Sequence, residues 1–493
     1  MSEVAAPTLP YAFAKRFGVV VTGADAAAVH IGLRGGEDPR VLSEVRRLVG
    51  RALAVETVEA ARFDRLLSEN YALEGFTAGA IGGGDELGLL VDSIPSAEDL
   101  LDTQDDAPII RLINGLIAEA ARQGVSDIHI EPYESALVVR MRADGQLTER
   151  HRLPANVASM VVSRVKVMAR LDIAERRLPQ DGRIGLTLGG KSLDVRVSTL
   201  PSRAGERVVL RLLDKDNAGI DLDALGMPVA IDRAFRGALG EPNGIVLVTG
   251  PTGSGKTTTL YAGLRLLNDG SRNILTVEDP VEYAVDGIGQ TQVNPKVGLS
   301  FAAGLRAILR QDPDTVMVGE IRDAETAQIA IQASLTGHLV LSSVHTNDAA
   351  GAITRMRDMG IEPFLLASTL RAVIAQRLVR RLCTECREAH PADGALAGLL
   401  GVAPGSTVWA ARGCAACGDT GFKGRVGVFE AVRITDDIRR IILEGGDETA
   451  IAAQAFGQSP ALAGAARAMV LAGVTTAEEA VRVMRAGTES ADA

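Results

Sequence analysis

The chain is poor in cysteine, in aromatic residues and in long apolar runs, and each shortage removes a class of protein. Its four cysteines among 493 residues form two CxxC pairs, a usage unlike the disulfide framework of a small secreted domain. Aromatic residues make up 3% of the chain, too few for the stacking platforms that grip single-stranded nucleic acid. No uninterrupted apolar stretch approaches the ~20 residues of a bilayer-spanning helix. Nor is there a surplus of positive charge: 52 Lys plus Arg face 62 Asp plus Glu, a formal net charge of −10. That balance disfavours a broad non-specific grip on nucleic acid and leaves open only a local basic groove. The opening MSEVAAPTLP has no basic segment followed by an apolar one, so no secretory signal and a cytoplasmic location are expected.

What remains is an ordinary globular composition, 46% hydrophobic and 23% charged. It is too long for one core, so three or more domains are expected. To about Tyr71 the pattern reads as a small α+β module. Strand signals at Val19–Val21 and Val29–Leu33 precede two helical patterns, Val41, Leu42, Val45, Leu48, Val49 and then Phe63, Leu66, Leu67. Residues 82–106 hold eight acidic groups, three consecutive glycines and no Lys or Arg, which reads as a flexible, self-repelling linker. A second domain starts near Pro108. With Asp106 as cap, Ile109, Leu112, Ile113, Leu116 and Ala120 form one apolar helical stripe. Strand-like runs 127–131 and 136–142 flank a turn at Asp144-Gly145, a helix is expected over Val157–Leu171, and Gly189-Gly190 joins two alternating strands as a hairpin. A curved sheet with helices is expected.

Beyond Leu225-Gly226-Met227-Pro228, apolar strands at Gly244–Thr249, Asn273–Val277, Thr315–Val318 and Leu339–Val344 alternate with helical patterns, as in a parallel doubly wound core. At the end of the chain, Thr476 and Glu479 fit a capping box ahead of Ala480, Val481 and Met484. The strand at Ile245–Val248 runs into Gly250-Pro251-Thr252-Gly253-Ser254-Gly255-Lys256-Thr257, and that is a phosphate-binding P-loop in its proper strand-loop-helix setting. Its glycines let backbone N–H groups curl around phosphate oxygens at a helix N-terminus. Lys256 adds a point charge, and the Thr257 hydroxyl is placed to ligate Mg²⁺. The alternative, a glycine-rich turn that binds nothing, leaves this convergence unexplained.

Ligands of parallel sheets bind at the carboxyl ends of the strands, where this chain carries Glu278, Asp279 and Glu282 after Val277, Glu320 after Val318-Gly319, and His345 after Val344. Hydrolysis of a nucleoside triphosphate needs an oriented water, a metal and cations. Glu320 is the preferred group for polarising the water or holding Mg²⁺ through water, with Glu278 second; the alternative for Glu320 is an exposed loop acid. His345 is open to a purely structural role. In the preceding domain Arg196 shares a strand face with Asp194 and Ser198, and Arg211 shares one with Arg207 and Val209. Arg196 and Arg211 are either arginine fingers for the nucleotide or solvated strand residues. Cys383, Cys386, Cys414 and Cys417 supply four sulfurs for a closed tetrahedral structural Zn²⁺ site, against a redox dithiol as competitor.

Together these motifs resemble the secretion ATPase superfamily, specifically the type II secretion system assembly ATPases (GspE-like), with type IV pilus assembly ATPases as near relatives. GPTGSGKTTTLYAGL (250–264) is similar to the family's Walker A region, ILTVEDPVEY (274–283) to its aspartate box, DPDTVMVGEIRD (312–323) to its Walker B segment and TGHLVLSSVHTNDA (336–349) to its histidine box. Upstream, residues 105–134 and 178–213 resemble the domain that precedes the motor, and the acidic lead-in favours the secretion branch.

The resemblance implies that Lys256 and Thr257 hold phosphate and Mg²⁺, Glu320 is the catalytic glutamate, Glu278 assists at the water, and His345 senses the γ-phosphate. It further implies that Arg196 and Arg211 reach the nucleotide and that the four cysteines bind zinc. Gly319 stands where many P-loop NTPases place a metal-binding aspartate, so contact between Glu320 and Mg²⁺ through water is expected. The implied architecture is α/β: a RecA-like P-loop core with a parallel sheet, preceded by α+β domains and followed by a zinc-binding element and a helical tail. The corresponding divisions are a partner-docking module at 1–81, the linker at 82–106, a PAS-like domain at 107–225 and the ATPase domain at 226–493, with the tetra-cysteine element at 383–417 and a helical part at 421–493.

The leading reading is an ATP-driven, homohexameric motor. It would sit peripherally at the cytoplasmic face of the inner membrane and bind an inner-membrane platform protein through its first module. A nucleic-acid translocase, suggested by Arg377, Arg380 and Arg381, and a non-hydrolysing scaffold are the alternatives; the arginine cluster is read as an inter-domain surface.

Overall fold

Strands such as Lys191–Ser202, which alternates apolar and polar residues, build an antiparallel sheet in the first half of the protein, and a central set of strands apolar on both faces builds a parallel one in the second. The computed structural model divides into two units, Met1–Lys215 and Asp216–Ala493. Described residues run from 9 to 66, with gaps at 10–12, 15–16, 25–27, 37–38, 60–61 and 64–65, then cover 107–188, 191–214, 221–457 and 461–485. The acidic run 82–106 with Asp106, and also Leu67 and the Gly189-Gly190 turn, lie outside them.

In the first unit β1 (Val19–Ala24) pairs antiparallel with β2 (Val29–Arg34), helix α1 (Val41–Val49) crosses over, and β3 (Leu53–Val58) returns parallel to β2. The sequence reading lacked β3. Val45 on α1 is buried against Val19 and Ile31, whereas Leu48, counted in the same stripe, is 48% exposed.

A separate six-stranded antiparallel sheet follows α2 (Ala107–Arg122). It comprises β4 (Val125–Pro132), β5 (Ala136–Ala143), β6 (Gln146–Pro154), β7 (Gln180–Leu188), β8 (Lys191–Ser202) and β9 (Gly205–Asp214), with α3 (Ala158–Met168) between β6 and β7. The strand order is β6-β5-β4-β9-β8-β7. The α2 stripe Ile109, Leu112, Ile113, Leu116 and Ala120 is buried with Val161 and Val165 of α3 and with Val195, Val197 and Leu210 of the sheet. One correction concerns the turn: Asp144 (φ 47) and Gly145 (φ 84) both take the left-handed conformation of a tight hairpin and join β5 to β6. The turn therefore follows both upstream runs and opens a strand absent from the sequence reading.

The second unit is built on a seven-stranded sheet ordered β12-β11-β13-β14-β10-β15-β18. After α4 (Val229–Leu239) come β10 (Gly244–Thr249), α5 (Lys256–Leu267), β11 (Ile274–Glu278), β12 (Ile288–Gln292), α6 (Phe301–Ile308), β13 (Thr315–Val318), α7 (Ala324–Leu335) and β14 (Leu339–Val344). Next are α8 (Ala349–Asp358), α9 (Pro363–Thr369) and the long β15 (Leu370–Leu382). Six strands run parallel; β18 (Phe422–Arg433) is antiparallel to β15. Every residue of β10, β13 and β14 is buried, as expected of strands covered by helices on both faces. Between β15 and β18 sit β16 (Glu388–Pro391), α10 (Gly394–Leu400) and β17 (Thr407–Ala410), the first and last paired as a small hairpin.

The helical tail begins after β18 rather than at residue 421, with α11 (Asp436–Leu443), α12 (Glu448–Ala455), α13 (Leu462–Leu471) and α14 (Ala477–Arg485). At the head of α14 the Thr476 hydroxyl accepts from Glu479 N at 3.4 Å. The other half of the expected capping box has a different use: the Glu479 carboxylate accepts from the backbone N and Nε of Arg380 at 3.0 and 3.1 Å. Among the described residues no helix is long and apolar enough to cross a membrane.

Candidate nucleotide and metal sites

Adjacent parallel strands β13, β14 and β10 end side by side, so the segments that follow them meet. The segment after β10 wraps tightly, with Gly250, Gly253 and Gly255 at φ 145, 78 and 89, a region that side-chain-bearing residues avoid. Space is the second constraint at Gly250: a Cβ there would lie 2.4 Å from the Gln376 carbonyl and 2.6 Å from Ser254 Oγ. Lys256, nearly buried at the start of α5, donates Nζ to the carbonyls of Gly250 at 2.8 Å and Pro251 at 3.1 Å. Burial pushes its ammonium down to about 8, with Glu320 opposing and Arg377 reinforcing that fall. Ser254 Oγ is buried in the loop with no hydrogen-bond partner. Thr252 and Thr257 are exposed at the mouth. A tight loop, a desolvated lysine and an unused hydroxyl fit a phosphate chain, and the exposed Thr257 hydroxyl fits a Mg²⁺ accompanying it.

Glu320 and His345 come together: Nε2 of His345 is 2.9 Å from Oε2 of Glu320, and Arg322 donates to Oε1. Burial pushes the Glu320 carboxyl up, but Arg322 and His345 outweigh it and hold the group below the usual carboxylate range. Glu278 is placed differently. It is 3% exposed at the end of β11 and accepts from the Tyr261 hydroxyl, from Thr276 Oγ1 at 2.5 Å and from Gln290 Nε2 at 3.2 Å. Burial raises its carboxyl despite these three donors. Glu278 thus ties α5, which begins at the P-loop, to β11 and β12.

Sequence reasoning missed Gln376, whose Nε2 donates to Ser254 O at 2.7 Å while its Oε1 accepts from Thr259 Oγ1 at 2.7 Å, bracing the loop from β15. It also grouped Arg377, Arg380 and Arg381 as one surface, which the structure disperses. Arg377 is 8% exposed and donates to Asn347 Oδ1 and O at 3.0 and 3.1 Å. Arg380 pairs with Glu479 and lies 3.9 Å over the Phe422 ring, and Arg381 is exposed.

In the first unit Arg196 and Arg211 face each other across β8 and β9. Register extends that row over five strands as Arg183, Arg196, Arg211, Asp127 and Arg142. Asp127 is almost buried and its Oδ1 accepts from Arg211 Nε at 2.9 Å, while the Arg211 side chain is 61% exposed. Burial pushes the Asp127 carboxyl up, yet Arg211 and Ser126 bring it below its ordinary value.

The four cysteine sulfurs all lie within 4.8 Å of one another. Cys383–Cys414 are 3.9 Å apart, and Cys386–Cys417 and Cys414–Cys417 are 3.8 Å apart. A tetrahedral zinc with Zn–S of about 2.3 Å requires sulfur separations of about 3.8 Å. Backbone N–H groups of Cys414 and Gly421 point at the Cys417 sulfur at 3.2 Å, support suited to a thiolate ligand. The set fits zinc held by Cys383, Cys386, Cys414 and Cys417, pinning the β16–β17 hairpin to the end of β15.

Residues 102–482 match the family described as Type II/IV secretion system protein, and residues 8–71 match a second family, a domain of GSPII protein E. Type II secretion system protein E of Aeromonas hydrophila is 53% identical over 487 residues, covering 98% of this chain and 97% of its own. Type II secretion system ATPase E of Vibrio cholerae is 48% identical over 485 residues, covering 97% and 96%. Among solved structures, the ATPase DotB of Legionella pneumophila superposes with a TM-score of 0.57 at 22% identity, over 76% of this chain and 95% of that one, and so shares the fold.

Proposed function

The chain belongs to the Type II/IV secretion system protein family, and from that premise we propose that it is the ATP-hydrolysing motor of a type II secretion system, driving pseudopilus assembly and protein export. It is a secretion ATPase by family. Coupling to export, a homohexameric working form, a place at the cytoplasmic face of the inner membrane and docking of the region 8–71 onto a membrane-platform protein are parts of the proposal.

The observation that carries it is the Glu320–His345 pair beside Lys256 and its loop. In the proposed reaction the loop amides and Lys256 hold the β- and γ-phosphates of ATP. Mg²⁺ on Thr257, when bound, neutralises phosphate charge. Glu320, ionised and oriented by His345 and Arg322, accepts a hydrogen bond from the attacking water and aims its oxygen at the γ-phosphorus. Glu278 positions α5 and, through it, Lys256. Arg196 and Arg211 bring positive charge to the transferring phosphoryl group from a separate domain, which makes hydrolysis depend on domain or subunit arrangement.

The test is phosphate release by purified full-length protein with Mg-ATP, followed against oligomer size and with the candidate platform domain added. Turnover that rises with assembly and co-purification through residues 8–71 are expected. Full activity in an obligate monomer would overturn the coupling, and absence of hydrolysis in every assembly state would overturn the motor.

A further inference from the structure

After His345 the chain crosses three adjacent strands at the level where β10 ends, and each strand supplies one tether. Thr249, ending β10, accepts from Thr346 N at 3.0 Å and donates to Val344 O at 3.1 Å. Arg377 on β15 holds Asn347 through its side-chain and main-chain oxygens. Glu430 on β18 accepts from Ala349 N, the first residue of α8, at 2.8 Å. The other oxygen of the same carboxylate accepts from Leu462 N, the first residue of α13, also at 2.8 Å.

Glu430 is 2% exposed, so its charge has left water and faces the positive ends of two helices. The groups around it are mixed in sign: Asp348, which caps α8 by accepting from Gly351 N at 2.7 Å, and Glu448 of α12 beyond it are acidic, and Arg377 is basic. Burial pushes the Glu430 carboxyl up to about 7 against the pull of the two N–H groups. A buried carboxylate is a poor way to add stability, since apolar packing of the same volume often does as well or better. Two backbone donors on one rigid group give something packing cannot: a fixed distance between two elements far apart in sequence.

We propose that Glu430 is a positioning residue for ATP hydrolysis, clamping the run His345–Asp348 to the start of α13 so that the His345 imidazole stays on Glu320 and movement of the C-terminal helices alters turnover. The inference rests on the reading that Glu320 orients the attacking water.

Steady-state hydrolysis is measured on the full-length assembled protein for wild type, E430Q, H345A and the double variant, with binding of a fluorescent ADP and thermal melting alongside. The isosteric amide presents an NH₂ to one of the two backbone donors, so kcat should fall by ~10-fold or more while KM for ATP stays within about twofold. In the H345A background E430Q should add almost nothing, because residues acting through one another are not additive. Wild-type kcat in a folded E430Q protein overturns the proposal, as does an equal fall in both backgrounds, the outcome of a cap that merely stabilises. If E430Q does not fold, L462P removes the second donor at a first-turn position that tolerates proline. Its kcat should fall likewise and non-additively with H345A, and unchanged kcat overturns the proposal. A different result, wild-type turnover in both E320Q and H345A, would sink the reading of the site and with it the clamp, whereas wild-type turnover in E430Q alone sinks only the clamp.

Discussion

His345 Nε2 sits 2.9 Å from Glu320 Oε2, joining the segments that follow the neighbouring parallel strands β14 and β13. Two side chains from adjacent strand ends share one contact, and Arg322 takes the other oxygen. Replacing Glu320 by Gln keeps the shape and removes the charge. ADP affinity should then change by less than about twofold, while kcat falls by ~10²–10⁴, the range for loss of a positioned acid-base group. Phosphate release and equilibrium ADP binding on the same preparation check this, and undiminished hydrolysis would remove Glu320 from the mechanism.

Nucleotide affinity should depend on pH through Lys256. Phosphate favours the ammonium form, whereas burial lowers the pKa of the free protein to about 8 from an ordinary 10.5. Affinity is therefore full below about pH 8 and weakens by about tenfold per unit above it, as protonating the lysine becomes a cost of binding. The stability of the free protein runs the other way. A depressed lysine pKa makes the fold disfavour the proton, so stability rises between about pH 8 and 10.5. ADP titrations from pH 7 to 10 measure the first effect, and K256M should flatten the curve while weakening binding overall.

One zinc per chain is expected in protein purified without chelator. Replacing Cys383, the buried member of the four, by Ser should abolish metal content and lower the melting temperature, because the ion pins the end of β15. Elemental analysis decides the point, and a metal-free, fully stable protein would favour a dithiol instead.

Arg211 should matter only for turnover in the assembled protein. Its Nε is held by Asp127 while most of the side chain stays exposed. R211A is expected to retain ADP binding and lose ~10³-fold or more in kcat, the scale of an arginine finger. D127N should lower kcat in the wild-type background and have little effect in R211A. Additive losses would mean that Asp127 serves the sheet rather than the arginine.

Local features were readable without coordinates. The P-loop is contiguous, so its glycines, Lys256 and Thr257 announce themselves, and four of the seven central strands are short apolar runs bounded by turn signals. Three strands escaped. β12, with the sequence Ile-Gly-Gln-Thr-Gln, carries little apolar character; β15 ends in a basic stretch that breaks its pattern; β18 alternates poorly in its first half. Glu278 is legible in the sequence as a candidate beside the water, while its three side-chain donors appear only in the folded protein.

Sequence alone determined the groups whose function depends on neighbours along the chain: a cage of backbone amides, two CxxC pairs, carboxylates placed at strand ends. Tertiary structure decided everything that depends on which strands lie side by side. The contacts of Gln376 with Ser254, of Glu430 with Ala349 and Leu462, and of Asp127 with Arg211 join residues 32 to 122 positions apart. Such pairings leave no period in the chain, because sheet order is set by burying apolar strand faces, and the polar residues along the strands take whatever partners that order brings them.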